Sequence, residues 1–226
     1  MRNALLIALA VILTACAPVA DVAIPEPTIT GPSPAAEPTD DAILRAANAE
    51  IVQIVEKSAG VRSIVFDVAN LPDKGAWATY RVRGSKARVD IVTPIPMEGW
   101  SADTIYLDLD AKTAEARCIA LTGCKKENRR ASTGYGPYGI VFPLDWGDRA
   151  VYGERTGTVT FNDRPTAVVR REEEGKTFEA YIDTFYGAAQ RVAVLDLGTE
   201  PPTIIGGYEY RNMAYNTVAE ADVTAP

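Results

Sequence analysis

A chain of 226 residues with 30 acidic and 23 basic side chains carries a net charge of −7, which argues against nucleic acid and against a broad electrostatic grip on anionic lipid. It contains no histidine, and that excludes Ser-His-Asp and Cys-His catalysis and the histidine-bearing zinc sites. Hydrophobic residues make up 47% of the chain, ample for the core of one domain with a tail.

At the N-terminus Arg2 precedes ten uncharged apolar residues, Ala4 to Leu13, and then Thr14-Ala15-Cys16. A charged start, a short apolar run and small residues at a cut make a secretory signal. Ten residues are too few for a bilayer span, which needs roughly twenty. Leu13-Thr14-Ala15-Cys16 resembles the lipobox of prokaryotic lipoproteins, in which the cysteine is lipidated and becomes the first residue. The other reading is an ordinary signal peptide with a chance cysteine. The lipobox implies removal of residues 1–15, and losing Arg2 takes the net charge from −7 to −8. With no second long apolar run, the expected membrane attachment is the lipid on Cys16.

Residues 16–38 read as the lipidated cysteine and a tether. Six prolines fall among residues 17–38, and such a segment neither nucleates a helix nor closes a sheet ladder. Extended at about 3.1 Å per residue it would reach roughly 70 Å. A proline-rich ligand for a partner is the alternative. A helix is then predicted over 40–59, capped by Thr39 or Asp40. Leu44, Ala47, Ile51, Ile54 and Val55 recur on one face, and Gly60 stops it.

From Val61 the period becomes two. Strands are predicted at 62–69, 75–84, 86–93, 103–110, 113–121, 152–161, 165–173, 176–184, 190–197 and 203–215. Gly84-Ser85, Asp110-Ala111-Lys112, Asn162-Asp163 and Glu174-Gly175-Lys176 provide turns between them. Short strands with such turns predict a meandering antiparallel sheet. Ile105, Leu107 and Leu109 alternate with Tyr106, Asp108 and Asp110. Val89 and Ile91 alternate with Arg88 and Asp90, and Phe178, Ala180 and Ile182 with Glu179, Tyr181 and Asp183, so one face is apolar and the other wet. A sheet this large must curl or be covered, and the helix at 40–59 is the natural cover. Residues 122–150 interrupt the pattern with a charged loop (Lys125 to Arg130), a Gly/Tyr-rich stretch (Gly134 to Gly139) and an apolar run (Ile140 to Trp146) that includes a short helical turn. The acidic tail 217–226 is expected to fray.

Cys118 and Cys124, left as a pair once Cys16 carries lipid, are expected to form a disulfide in an oxidising compartment. A metal site there lacks further ligands. Asp103, Asp108 and Asp110 read as a solvated strand end, with calcium binding as the lesser alternative. No Gly-x-Ser-x-Gly or Ser-x-x-Lys motif is present, and nothing selects a carboxylate pair for hydrolysis. No enzymatic activity, cofactor or metal is therefore expected. Trp77, Trp100, Phe142, Trp146, Phe178, Phe185 and Tyr186 read as core or as the lining of a ligand cavity.

Several segments resemble the LolA/LolB-like superfamily and its lipid-carrier lipoprotein relatives: Tyr80 to Val89, Tyr106 to Ala116, Phe142 to Trp146, Val159 to Val169 and Tyr181 to Gly187. The resemblance covers roughly 40–216. It implies an α+β domain over 39–216, a curled antiparallel sheet forming a half-open β-barrel. An N-terminal helix and a loop or short helix cover its concave face. It also implies binding of a lipid or an acylated protein without catalysis, for envelope lipid or lipoprotein transport; separately, a monomer is expected. Val89, Ile91, Ile105, Leu107, Leu109, Phe142, Trp146, Phe178 and Ile182 are the expected apolar lining, and 134–146, with glycine hinges at Gly134, Gly136 and Gly139, is the expected lid. The competing readings are a structural or interaction lipoprotein with a filled core and a hydrolase with a carboxylate pair.

Overall fold

The computed structural model describes residues 45–73, 75, 78–119, 124 and 129–226. The expected signal peptide, the lipidation site Cys16, the tether and the first residues of the expected helix lie outside these.

Helix α1, Ala49–Glu56, buries Ile51, Ile54 and Val55 and continues into a 3-10 turn at Lys57–Gly60. These apolar residues stand at helical spacing and point at the sheet. Asn48 donates to the Val151 carbonyl at 2.9 Å and Lys57 to the Thr184 carbonyl at 2.6 Å, fixing both ends of α1 to distant loops.

The sheet has eleven antiparallel strands: β1 Ser63–Asn70, β2 Ala78–Arg83, β3 Lys86–Met97, β4 Trp100–Asp108, β5 Thr113–Arg117, β6 Arg130–Thr133, β7 Glu154–Phe161, β8 Arg164–Glu173, β9 Lys176–Asp183, β10 Ala189–Asp196 and β11 Thr203–Tyr215. Their spatial order is β6-β5-β4-β3-β2-β1-β11-β10-β9-β8-β7, an open sheet. Strands β2–β3, β3–β4, β4–β5, β7–β8 and β8–β9 pair through turns of two to four residues, while β6 and β7, neighbours in sequence, do not pair. The central pair joins the ends of the chain's sheet: β1 pairs with β11, with Ile64 opposite Tyr215 and Val68 opposite Tyr210.

Several strand boundaries differ from the sequence expectation: β2 starts at Ala78 where 75 was expected, and β5 ends at Arg117 where 121 was expected. β3 runs on past 93 through Pro94 and Pro96, and its pairing with β4 shifts between Asp90 and Ile95. A proline lacks an N–H for the ladder and is tolerated where pairing is already irregular. β4 accordingly begins at Trp100. Strand β6 lies inside the stretch expected to hold none; four residues are too few to display an alternation.

The faces separate as the period-two pattern requires. Ile64, Phe66, Tyr80, Val89, Ile105, Leu107, Ala116, Ala167, Val169, Ile182, Val192 and Tyr210 form one buried cluster with α1. The outer face carries polar pairs: across strands, Asp67 accepts from Thr79 at 2.5 Å and Glu179 from Arg170 at 2.9 Å, and within β3 Asp90 accepts from Arg88 at 2.7 Å. One apolar cluster that draws on both halves of so long a sheet requires the sheet to curl around it.

The tail differs from expectation. Residues 217–226 pack over the outer face of β2 and β3, where a short helix, α3 at Glu220–Val223, forms. Val218 and Val223 are buried, the Val218 carbonyl accepts from Arg83 at 2.8 Å, and Glu220 pairs with Arg83 at 3.3 Å. Two apolar anchors in an otherwise acidic, proline-ended segment gave no periodic signal in the sequence.

Candidate functional site

The connection from β6 to β7 builds the site. These are the two edges of the sheet, so residues 134–153 must cross from one edge to the other, and they do so over the core-facing side. Helix α2, Asp145–Ala150, lies within this connection and buries Trp146, Gly147 and Ala150. A Cβ on Gly147 would come within 2.8 Å of Val55, so glycine there lets α2 lie directly on α1. Gly139 is also constrained: a Cβ would fall 2.1 Å from the Tyr135 ring, which makes it a packing position inside a turn closed by the Tyr135 carbonyl.

Aromatic rings hold this segment down. Phe66 stacks on Tyr80 with centroids 5.3 Å apart, and Phe142 meets both edge-on at 6.2 and 6.0 Å. Tyr210 lies 5.5 Å from Phe66. Two buried hydroxyls of this floor reach up to the crossing backbone. Tyr210 donates to the Val141 carbonyl at 2.7 Å, and Tyr80 to the Tyr138 carbonyl at 3.1 Å. The Trp146 indole N–H in turn donates to the Tyr210 oxygen at 3.2 Å. Burial holds both tyrosines well above the ordinary phenol range, so they stay neutral donors.

Beyond Trp146 the cover ends. An open cleft of about 360 Å³ lies there, lined by Asn70, Leu71, Trp146, Phe178, Val192, Val194, Gly207 and Tyr208. Trp146 and Phe178, 6.0 Å apart, form one wall. A second, much smaller apolar space of about 10 Å³ lies on their other side, against Val169 and Ala180.

The nine residues expected to line a cavity are brought into one apolar assembly but divide within it. Val89, Ile105, Leu107, Phe142 and Ile182 are buried by protein packing, with Ile91 and Leu109 against them. Trp146 and Phe178 border the cleft. The remaining cleft walls, Leu71, Val192, Val194 and Tyr208, were missed. The run Val192-Ala193-Val194-Leu195 in β10 is apolar throughout, so nothing in the sequence separated the two cleft valines from ordinary core.

Cys118 and Cys124 form the expected disulfide, with Cα atoms 5.7 Å apart. Buried Asp103 accepts the Ile119 N–H at 2.9 Å beside it, and Asp108 accepts the Ala111 N–H at 2.8 Å in the β4–β5 turn. Among the described residues no group of three histidine, cysteine or acidic side chains could hold a metal ion. No carboxylate lines the larger cleft. Buried Asp183 is taken up by the N–H groups of Phe185 and Tyr186 at 2.7 and 3.2 Å and by Arg164 at 3.3 Å. Among the described residues no helix is long and apolar enough to cross a membrane.

No protein-family model and no curated protein matches the chain. Solved structures that resemble it include an uncharacterized conserved protein from Thermus thermophilus, at a TM-score of 0.46 and 12% identity, covering 80% of this chain and 94% of that one. The MucA/MucB complex of Pseudomonas aeruginosa aligns at a TM-score of 0.42 and 14% identity over 80% of this chain and 61% of that one. This chain thus spans about three-fifths of that structure's chain. The Mycobacterium tuberculosis lipoprotein LppX aligns at 0.43 and 13% identity, over 81% of this chain and 100% of that one.

Proposed function

We propose that the protein is a lipid-anchored, extracytoplasmic binding protein of the LolA/LolB-like kind. In this reading it takes a lipid, or the acyl chains of a lipoprotein, into the cleft beside Trp146 and Phe178 for envelope transport. It works as a monomer, by binding and without catalysis. The observation that carries this reading is the cleft itself. Its walls are chiefly Leu71, Val192, Val194, Trp146 and Phe178, and it opens where the crossing segment stops covering the sheet. Its volume is at the lower end of the roughly 300–1,000 Å³ usual for small-molecule sites. Apolar wall left wet costs about 25 cal/mol per Å², so an acyl chain displacing that water is stabilised. The anchor rests on Leu13-Thr14-Ala15-Cys16.

The test is uptake of a fluorescent fatty-acid probe by delipidated protein, with saturation and displacement by lipid extracted from the purified protein. Folded protein that takes up none leaves the filled-core interaction lipoprotein ahead, a reading favoured by the packed ring cluster of Phe66, Tyr80, Phe142 and Tyr210. For the anchor, Cys16→Ser should release the protein from membranes or block its maturation. Mass spectrometry finding an unmodified Cys16 on the mature protein would refute lipidation.

A further inference from the structure

We infer that the protein has a second binding site, separate from the lipid cleft, which takes a small neutral polyhydroxylated ligand such as a sugar. The site is an open pocket of about 320 Å³ whose polar lining is Asn162, Asp163, Arg164, Gln190, Arg211 and Asn212. It shares no wall with the cleft beside Trp146. Two strand irregularities shape it. Gln190 is the extra residue where β10 slips against β9, between the Ala189–Ile182 and Arg191–Tyr181 pairs. Asn212 lies where β11 slips against β1, between the pairs made by Arg211 and Ala214, and it takes a φ of 51°. A bulge leaves its extra residue out of the ladder and re-aims the side chain. Beyond the Arg191–Glu209 pair β10 and β11 no longer pair. The β7–β8 turn reaches this gap, where Asn162 donates to the Tyr210 carbonyl at 3.3 Å.

Hydrogen bonds within the protein decide what remains for a ligand. Each of the three side-chain amides already has an acceptor for its NH2 group. Asn162 donates to the Tyr210 carbonyl, Asn212 to the Asp67 carboxylate at 2.7 Å, and Gln190 to the buried Asp183 carboxylate at 3.4 Å. An ionised carboxylate only accepts, so the Gln190 NH2 group is the end that faces Asp183. Gln190 is 1% exposed, and its Oε1 has no hydrogen-bond partner among the described residues, an unfavourable state for a buried acceptor. The two arginines add N–H donors without adding a free charge. Arg164 meets Asp183 at 3.3 Å and Arg211 pairs with Glu209, and both of these acids are buried. Arg164 is also held over the Tyr186 and Tyr215 rings, at 5.3 and 5.6 Å. An oxyanion therefore gains little here, and a cation would meet two guanidinium groups. A hydroxyl both donates and accepts. Several hydroxyls on one neutral frame match amide and carboxylate oxygens set beside guanidinium N–H groups. The volume lies at the lower end for small-molecule sites, which suits a small sugar rather than a long glycan.

The test uses the full-length protein and ligand-observed saturation-transfer NMR, with affinities taken from titrations. The neutral probes are methyl glucoside, N-acetylglucosamine and trehalose. Glucuronate and glucosamine present a similar ring with a negative or a positive charge. At least one neutral sugar should bind saturably, and more tightly than either charged one. Gln190→Met keeps the side-chain length but removes the unpartnered oxygen, and Asn212→Gly keeps the positive φ but removes the amide. Each should weaken binding about three- to tenfold, the contribution of one uncharged hydrogen bond. Fatty-acid probe uptake should not change in either variant, which separates this site from the lipid cleft. Unchanged circular dichroism is the control for folding. If Gln190→Met unfolds because Asp183 loses a donor, Asp163→Asn takes its place with the same expected loss. Absence of saturation transfer from every sugar overturns the inference. So does sugar binding undiminished in Asn212→Gly and Asp163→Asn, which would place it elsewhere. Tighter binding of glucuronate or glucosamine overturns the neutral class of ligand.

Discussion

The two ends of the core-facing surface are built from similar residues and finished differently. At one end, Phe66, Tyr80, Phe142 and Tyr210 interlock, and two tyrosine hydroxyls hold the crossing segment by its carbonyls. Ile105 and Leu107 sit behind them, buried. At the other end, Phe178, Val194 and Tyr208 stay half-buried beside Trp146 and line the cleft together with buried Val192. Apolar residues of one sheet face thus become packed core or accessible wall according to where the lid is latched, which locates the open end by hydrogen bonds as much as by hydrophobicity.

The sharpest way to break this comparison is at the closed end. Phe66 is fully buried against three rings, so Phe66→Ala should cost about 3–5 kcal/mol in urea unfolding, the usual range for a buried aromatic cut to alanine. Probe affinity of the folded fraction should be unchanged. A loss below about 1 kcal/mol would mean that this end is not tightly packed.

A smaller effect is expected at the latch. Tyr210→Phe removes the donor to Val141 and the acceptor of the Trp146 N–H, costing about 1–3 kcal/mol through unpaired buried groups. Hydrogen exchange over 141–146 should speed up; unchanged protection would show that ring packing alone holds the segment. The same tyrosines predict a weakness in alkali. Burial raises the pKa of Tyr80, Tyr210 and Tyr215 in the folded protein, while an unfolded tyrosine ionises near about 10. Unfolding then releases protons, so stability is full below that pH and falls as pH rises above it. A midpoint in urea that stays flat from about pH 9 to about pH 11.5 would contradict this.

The smallest change in stability accompanies the most direct test of the open end. Val194 is half-buried on the cleft wall, and Val194→Trp should fill the cleft while altering stability by no more than about 1 kcal/mol. Probe uptake should disappear. Full uptake by this variant would place the binding site elsewhere.

Much of the element order was legible because it depends on local chemistry. Val89, Ile91, Ile105 and Leu107 alternate with charged or polar neighbours, and that alternation is a property of the pleat. Cys118 and Cys124 were the only thiols left to pair once Cys16 was assigned a lipid. β6 and the docked tail were not legible, since four residues carry no period and Val218 and Val223 stand alone in a polar run. The lining was only partly legible: Trp146 and Phe178 border the cleft, whereas Ile105 and Leu107 are packed behind the ring cluster.

Sequence alone determined that this chain makes an antiparallel sheet with one apolar and one charged face, because side-chain period and turn residues act within a few positions. Only the tertiary structure decided that β1 pairs with β11, which leaves β6 and β7 as the edges and sends residues 134–153 across the core face. The physical reason is that strand pairing between distant segments is chosen by the packing of the whole sheet. A valine that lines a cleft and one that fills a core are the same residue until that packing is complete.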